Sequence, residues 1–306
     1  MNEFDAIARL RAGFGELRAP DLGIGDDAAV LHDPRAQVLT VDAAVEGVHF
    51  ERRWLTDAEL SARAVEAAVS DLAAMGAEPD ALLLAWSLPS TLTEVLLDGL
   101  IEGVREVCAR HGLRVAGGNL TGGPCVALTT TVLGRSGGRL LRRDGARPGD
   151  LVALAGTVGL AAAGLRALQA ERADDPSLAT AVRAWRRPRA QIEAGLGIVA
   201  TAHAAIDLSD GLAQDAGHLA DASGCAVVLD ADRFPRRRDL DAAADALGVD
   251  AVHLSLHGGE DYALLAAGPA SAFGQAWTII GSVREGRGVH LEEGPAIAAR
   301  GWDHFG

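Results

Sequence analysis

The chain of 306 residues carries 28 basic and 42 acidic side chains, a formal net charge of -14 at pH 7, and 49% hydrophobic residues. That length and apolar content suit two domains with cores of their own, while the acidic balance opposes binding to nucleic acid or to an anionic membrane surface. Every basic residue is arginine and lysine is absent, which excludes a Walker A loop, a pyridoxal or Schiff-base enzyme and a Ser-Lys acyl enzyme, each of which needs lysine chemically.

The first stretch, MNEFDAIARL, is polar and lacks the apolar core of a signal peptide, and Cys108, Cys125 and Cys225 are odd in number and without metal-ligand spacing. Together these predict a reduced, cytoplasmic protein. "GIGDDAAV", Gly23 to Val30, sets Asp26 and Asp27 side by side between glycines and an apolar run, an arrangement that needs a counter-charge. A strand over Val38–Val41 leads into Asp42. The capping box of Thr56 and Glu59 and the closing Gly76 predict a helix over Asp57–Met75. Within it, Asp71 falls on the stripe of Leu60, Ala64 and Ala67, while Val65, Val69 and Leu72 make the opposite face apolar too. A carboxylate covered on both sides pairs, neutralises or binds a cation, and Arg63 or another arginine is the competing partner.

Next come a strand over Ala81–Leu88, a helix from Thr91 to His111 that follows Pro89 and stops at Gly112, and a strand over Val126–Leu133. "GRSGGRLLRRDGARPGD", Gly134 to Asp150, has no apolar periodicity and reads as a boundary between domains 1–137 and 138–306. The uncharged run Leu151 to Leu165 is interrupted by Gly156, Gly159 and Gly164, apart from being too short to span a bilayer. It predicts a strand over Leu151–Ala155, a turn and a helix, and further strands and helices follow a polar insertion. Both halves are α/β in pattern.

Acidic residues recur at the predicted strand ends: Asp207 and Asp210 in "IDLSDG", Glu260 and Asp261 in "GGED". Each motif alone is also what a turn or an N-cap produces. If the carboxylates converge, pairs about 5 Å apart repel by about 3 kcal/mol at an effective dielectric of about 20, and such a cluster needs divalent cations. Oxygen-only donors favour Mg²⁺ or Mn²⁺ over zinc. Glycines beside the acids admit phosphates to the backbone, and a helix starting at Ser209–Gly211 would offer free N–H groups to an anion. Metal-assisted phosphoryl transfer is the chemistry these features imply.

Taken in order, "GIGDDAAV", "VEGVHF" (Val45 to Phe50), "SDLAAMGA" (Ser70 to Ala77), "IDLSDG" with "GHLADASG", "GGEDYAL" and "GWDHF" (Gly301 to Phe305) resemble thiamine-monophosphate kinases. The wider superfamily includes aminoimidazole ribonucleotide synthetase and selenophosphate synthetase, and only "VEGVHF" and "GWDHF" point to the thiamine branch. The resemblance implies two α/β domains: an N-terminal one whose mixed sheet pairs in a homodimer, and a C-terminal one closing over the nucleotide. It implies transfer of the ATP γ-phosphoryl group to thiamine monophosphate, with several Mg²⁺ ions. By matching position, Asp27, Thr40, Asp42, Asp71, Asp207 and Asp210 fall at metal positions, Gly118, Asn119, Arg143 and Ser209 at nucleotide positions, and His49, Glu260 and Trp302 at substrate positions. The chain departs from the family where "GGD" reads Gly117, Gly118, Asn119, where "TDT" reads Val41, Asp42, Ala43, and where "RPxPR" reads Arg187, Pro188, Arg189, Ala190, Gln191. Two alternatives stay open here: another ATP-dependent phosphotransferase of the superfamily, and a weakly catalytic relative that binds a nucleotide or thiamine phosphate.

Overall fold

The computed structural model describes residues 9, 12–14, 36–91, 93–235, 237–292 and 296–297. The chain forms two compact units, Met1–Leu72 with Ala77–Gly138, and Ala73–Gly76 with Arg139–Gly306.

The first unit is built on a mixed four-stranded sheet in the order β1-β4-β2-β3, with β1 Ala36–Val45, β2 Glu78–Leu88, β3 Arg114–Gly122 and β4 Ala127–Ser136. β2 and β3 run parallel and the other pairs antiparallel. Helix α1, Asp57–Met75, starts as its capping box predicts: the Glu59 N–H donates to Thr56 Oγ1 (3.2 Å) and the Thr56 N–H to Glu59 Oε2 (3.0 Å). It stops at Gly76, whose φ of 64° is left-handed. Helix α2, Glu94–His111, begins three residues later than the predicted start at Thr91, because the Thr93 hydroxyl is the group that accepts the Leu96 N–H. The two helices cross closely at Gly103, where a Cβ would lie 2.0 Å from the Ala58 carbonyl. α1 covers one sheet face and packs Leu72 against Gly134 of β4. Along β4 every second residue, Leu128 through Ser136, is accordingly buried. The opposite face leaves Leu39, Val41 and Leu83 exposed.

The second unit holds a seven-stranded sheet in the order β11-β10-β7-β9-β5-β8-β6. Its strands are β5 Leu151–Ala155, β6 Ala204–Leu208, β7 Ala226–Leu229, β8 Ala263–Gly268, β9 Trp277–Arg284, β10 Gly288–Leu291 and β11 Ala296–Ile297. Among the described residues of this sheet only β7 and β10 pair in parallel. All of β6 and β8 is buried, and so is β5 beyond Leu151, because both faces are covered. One core gathers Leu154, Ile206, Leu208, Leu219 and Leu265, and a smaller one Leu141, Ile198, Ala205 and Ala266. The helices are α3 Leu160–Gln169, α4 Ala179–Arg186, α5 Ile192–Ile198, α6 Leu212–Ser223, α7 Arg238–Leu247 and α8 Ala251–His257. Among the described residues no helix is long and apolar enough to cross a membrane.

Candidate functional site

In the first unit the alternation of β1 puts Thr40 and Asp42 on one side of the strand. That side meets α1, where the Thr40 hydroxyl donates to the half-buried Asp71 carboxylate. A neutral hydroxyl is thus one hydrogen-bond partner of Asp71. Asp42 accepts the Ala43 N–H (2.7 Å). Desolvation by the surrounding protein raises its pKa and the neighbouring Asp71 adds to this, against the opposing pull of His49 and Arg63. His49 accepts the Val45 N–H at Nδ1 (3.1 Å), which in the neutral ring leaves the proton on Nε2. Thr40, Asp42, Asp71 and His49 therefore come together as one oxygen-rich group.

Gly118 and Asn119 do not join that group within the unit. Asp42 pairs with Thr130, Thr130 with Leu84 and Leu84 with Gly118, so three strand spacings, roughly 14 Å, separate the two edges. Gly118 must be glycine there, since a Cβ would lie 2.0 Å from the Leu84 carbonyl. Asn119 is exposed on the other face of the sheet. Beside Asp42 in the register, the Thr130 hydroxyl is buried and has no hydrogen-bond partner.

In the second unit β6 delivers buried Asp207, then Ser209, Asp210 and Gly211 lead into α6. Two amides of this turn, those of Asp210 and Gly211, are occupied. Asp215 Oδ2 accepts both the Asp210 N–H and the Gly211 N–H, each at 3.1 Å. Burial first, then the charges of Asp210 and Asp207, push the Asp215 carboxyl up to about 7. Ligand atoms of Asp210, Asp215 and His218 lie within 4.8 Å of one another, and Gln214 Nε2 donates to Asp210 Oδ2 (3.0 Å).

The "GGEDY" loop is laced to the same strand end. The Glu260 N–H donates to the Ser209 carbonyl (2.7 Å) and the Tyr262 N–H to the Leu208 carbonyl (2.9 Å). Glu260 and Tyr262 take left-handed φ values of 67° and 50°, a strained conformation for residues with side chains. A Cβ on Gly259 would stand 2.6 Å from the Ser209 carbonyl, so that position needs glycine. Fully buried Trp185 donates from Nε1 to Glu260 Oε2 (2.7 Å). Asp261 accepts the Gly159 N–H (2.6 Å) and the Ala161 N–H (3.0 Å) at the start of α3. Burial outweighs those two bonds and pushes its carboxyl up to about 7. Arg143 is exposed in a short turn whose carbonyl accepts the Ser223 hydroxyl (2.7 Å). Asp26, Asp27 and Trp302 lie outside the described residues.

Sequence reasoning missed Asp215 and Trp185. The signal for Asp215 is its spacing, four residues past the glycine that opens α6, where an acidic side chain can reach back to free amides. Trp185 carries no such signal, because its partner Glu260 lies 75 residues away.

Two α/β units with carboxylates and hydroxyls at strand ends define a class of protein. The profile of the AIR synthase related protein N-terminal domain matches residues 25–136 and that of the C-terminal domain residues 147–292. The chain is a member of this AIR synthase related class. Within the class, it is 34% identical over 286 residues to the thiamine-monophosphate kinase of Aquifex aeolicus, covering 92% of each chain. The solved structure of AaThiL complexed with AMPPCP and TMP matches with a TM-score of 0.85 at 32% identity, over 99% of this chain and 97% of that one. The thiamine-monophosphate kinase structure from Stenotrophomonas maltophilia K279a matches with a TM-score of 0.84 at 34% identity, over 97% and 98%. The chain belongs to the thiamine-monophosphate kinase family.

Proposed function

We propose that the protein transfers the γ-phosphoryl group of ATP to the phosphate of thiamine monophosphate, forming thiamine diphosphate and ADP. The observation that carries this reading is the match, over 99% of the chain, to a relative complexed with AMPPCP, an ATP analogue, and TMP. The donor sets fit hard divalent cations, being hydroxyl and carboxylate oxygen. In this reading Asp27, Thr40, Asp42, Asp71, Asp207 and Asp210 hold Mg²⁺. Bound there, Mg²⁺ supplies charge neutralisation for the phosphates.

The rest of the chemistry falls to the chain's own groups. A phosphate monoester has its second pKa near about 6, so the attacking oxygen is ionised at neutral pH and no general base is needed. The protein's task is to hold two anions in line. Gly118 and Asn119 offer a backbone that a nucleotide can approach closely, Ser209 a hydroxyl, and Arg143 a permanent positive charge. Glu260, fixed by Trp185, and His49, fixed through Nδ1, orient the acceptor. Trp302 stacks on the cationic thiazolium ring. Residues 1–137 form the nucleotide- and metal-binding domain, which pairs in a homodimer through its exposed sheet face, and residues 138–306 the second domain; the protein works in the cytoplasm.

Incubating the protein with ATP, Mg²⁺ and thiamine monophosphate and resolving the products by chromatography should give thiamine diphosphate and ADP in equal amounts. ADP with inorganic phosphate, or binding of both ligands without any product, would overturn the assignment.

A further inference from the structure

We infer that Asp215 is a positioning residue of the phosphoryl-transfer site: it fixes the Asp210–Gly211 backbone, and so the Asp210 carboxylate, without itself ligating the metal. The inference rests on the proposed role of Asp210.

Asp215 is almost fully buried and spends a single oxygen, Oδ2, on two successive amides, those of Asp210 and Gly211 (3.1 Å each). Its own N–H donates to the Gly211 carbonyl (3.0 Å), so Gly211 is tied to residue 215 at both of its backbone groups. Gly211 has φ 123° and ψ 147°, a conformation closed to residues with side chains. A Cβ on Gly211 would also sit 3.1 Å from the His257 carbonyl carbon. The turn after β6 is therefore a non-helical bend: the GGEDY loop ties the carbonyls of Leu208 and Ser209, and Asp215 ties the amides of Asp210 and Gly211. The same two bonds withdraw the Asp210 and Gly211 amides from any anion, because amides already given to a carboxylate cannot cradle one. The bend also carries the Asp210 carboxylate, steadied by Gln214. Groups that orient a metal ligand typically cost about 10–100-fold in metal affinity when removed.

Asparagine separates orientation from charge, since its carbonyl oxygen can still accept both amides while its net charge is zero. Two readouts are needed: hydrogen exchange of the peptide spanning residues 207–215, and the Mg²⁺ concentration giving half-maximal ATP binding by calorimetry. Asp215→Ala should lose amide protection and raise the Mg²⁺ requirement by about tenfold or more. Asp215→Asn should keep the protection and stay within about threefold of the parent in Mg²⁺ requirement. An Asp215→Asn protein with intact protection but the same loss of Mg²⁺ response as Asp215→Ala would make Asp215 a charged ligand and overturn the inference. So would a normal Mg²⁺ response in Asp215→Ala. Should Asp215→Ala not fold, Asp215→Asn decides alone by the same two measures. The exchange measurement does not depend on turnover, so a parent protein that forms no thiamine diphosphate would refute the proposed activity and leave the exchange result standing.

Discussion

Asp71 and Asn119 show how far a single residue's chemistry is decided by its place in the sheet. Asp71 sits in a helix whose residues 60–70 are all buried, and its carboxylate meets Thr40 and the neighbouring Asp42. A charge so placed is worth its desolvation cost if a cation shares it. Asp71→Asn should therefore lower phosphoryl transfer by about 100-fold or more and weaken Mg²⁺-dependent nucleotide binding, measured by steady-state kinetics and calorimetry. Near-normal activity at moderate Mg²⁺ would refute its role as a ligand. The family's "TDT" turns out to matter less here than its spelling suggests. Val41 and Ala43 alternate onto the sheet face opposite Thr40 and Asp42, so their lost hydroxyls never faced the Asp71 group. Asn119 is different, since it replaces a charge with a neutral carbonyl oxygen at a position assigned to the nucleotide. Asn119→Asp should lower the Mg²⁺ concentration for half-maximal activity and raise the rate at limiting metal. An unchanged Mg²⁺ dependence would exclude Asn119 from the metal-nucleotide contacts.

At the scale of elements, legibility followed local chemistry. α1 was readable because its capping box, apolar faces and terminal glycine all lie within the helix or beside it. β3 was not, since Ala116, Gly117, Gly118 and Asn119 have neither β-branched residues nor alternation, and its strand character comes from parallel pairing with β2. Likewise the placement of Asp207 and Asp210 at a strand end was legible in "IDLSDG", whereas the lacing of the "GGEDY" loop to Ser209 is a non-local arrangement. Asp261 shows the consequence. It caps α3 from a distance of about a hundred residues in sequence, and its burial raises the carboxyl pKa from 3.8 to about 7. A raised folded-state pKa means that the folded protein binds the proton more tightly than the unfolded chain. The stabilisation from this group is then complete below the unfolded value and is lost as pH rises through about 7. Asp261→Asn removes that titration at the expense of one amide bond. Thermal unfolding at pH 5, 6, 7 and 8 should show the parent more stable than Asp261→Asn at the acidic end, with the gap narrowing as pH rises. A gap that widens with pH would mean that the ionised carboxylate is the favoured form at the α3 cap.

For the whole molecule the open face of the first sheet is the feature that one copy leaves unexplained. Leu39 and Val41 on β1 are 66% and 63% exposed and Leu83 on β2 is 41% exposed. The register puts Val41, Thr131 and Leu83 in a single row across β1, β4 and β2. Contiguous apolar side chains on the outward face of a sheet mark an interaction surface rather than a solvated one, and the acidic net charge would otherwise keep copies apart. A two-fold axis over this face would bring each such row against its equivalent in the second copy, so one substitution acts twice per dimer. Val41→Asp places two unpaired charges in that contact, and their desolvation is uncompensated. The parent should sediment as a dimer at micromolar concentration, and Val41→Asp should halve the measured mass with the far-ultraviolet circular dichroism unchanged. Because the side chain of residue 41 lies on the face away from Asp42 and Asp71, the monomeric variant should still bind Mg²⁺ at that group. A parent that is monomeric at every concentration, or a Val41→Asp protein of unchanged mass, would show that this face is not where the copies meet.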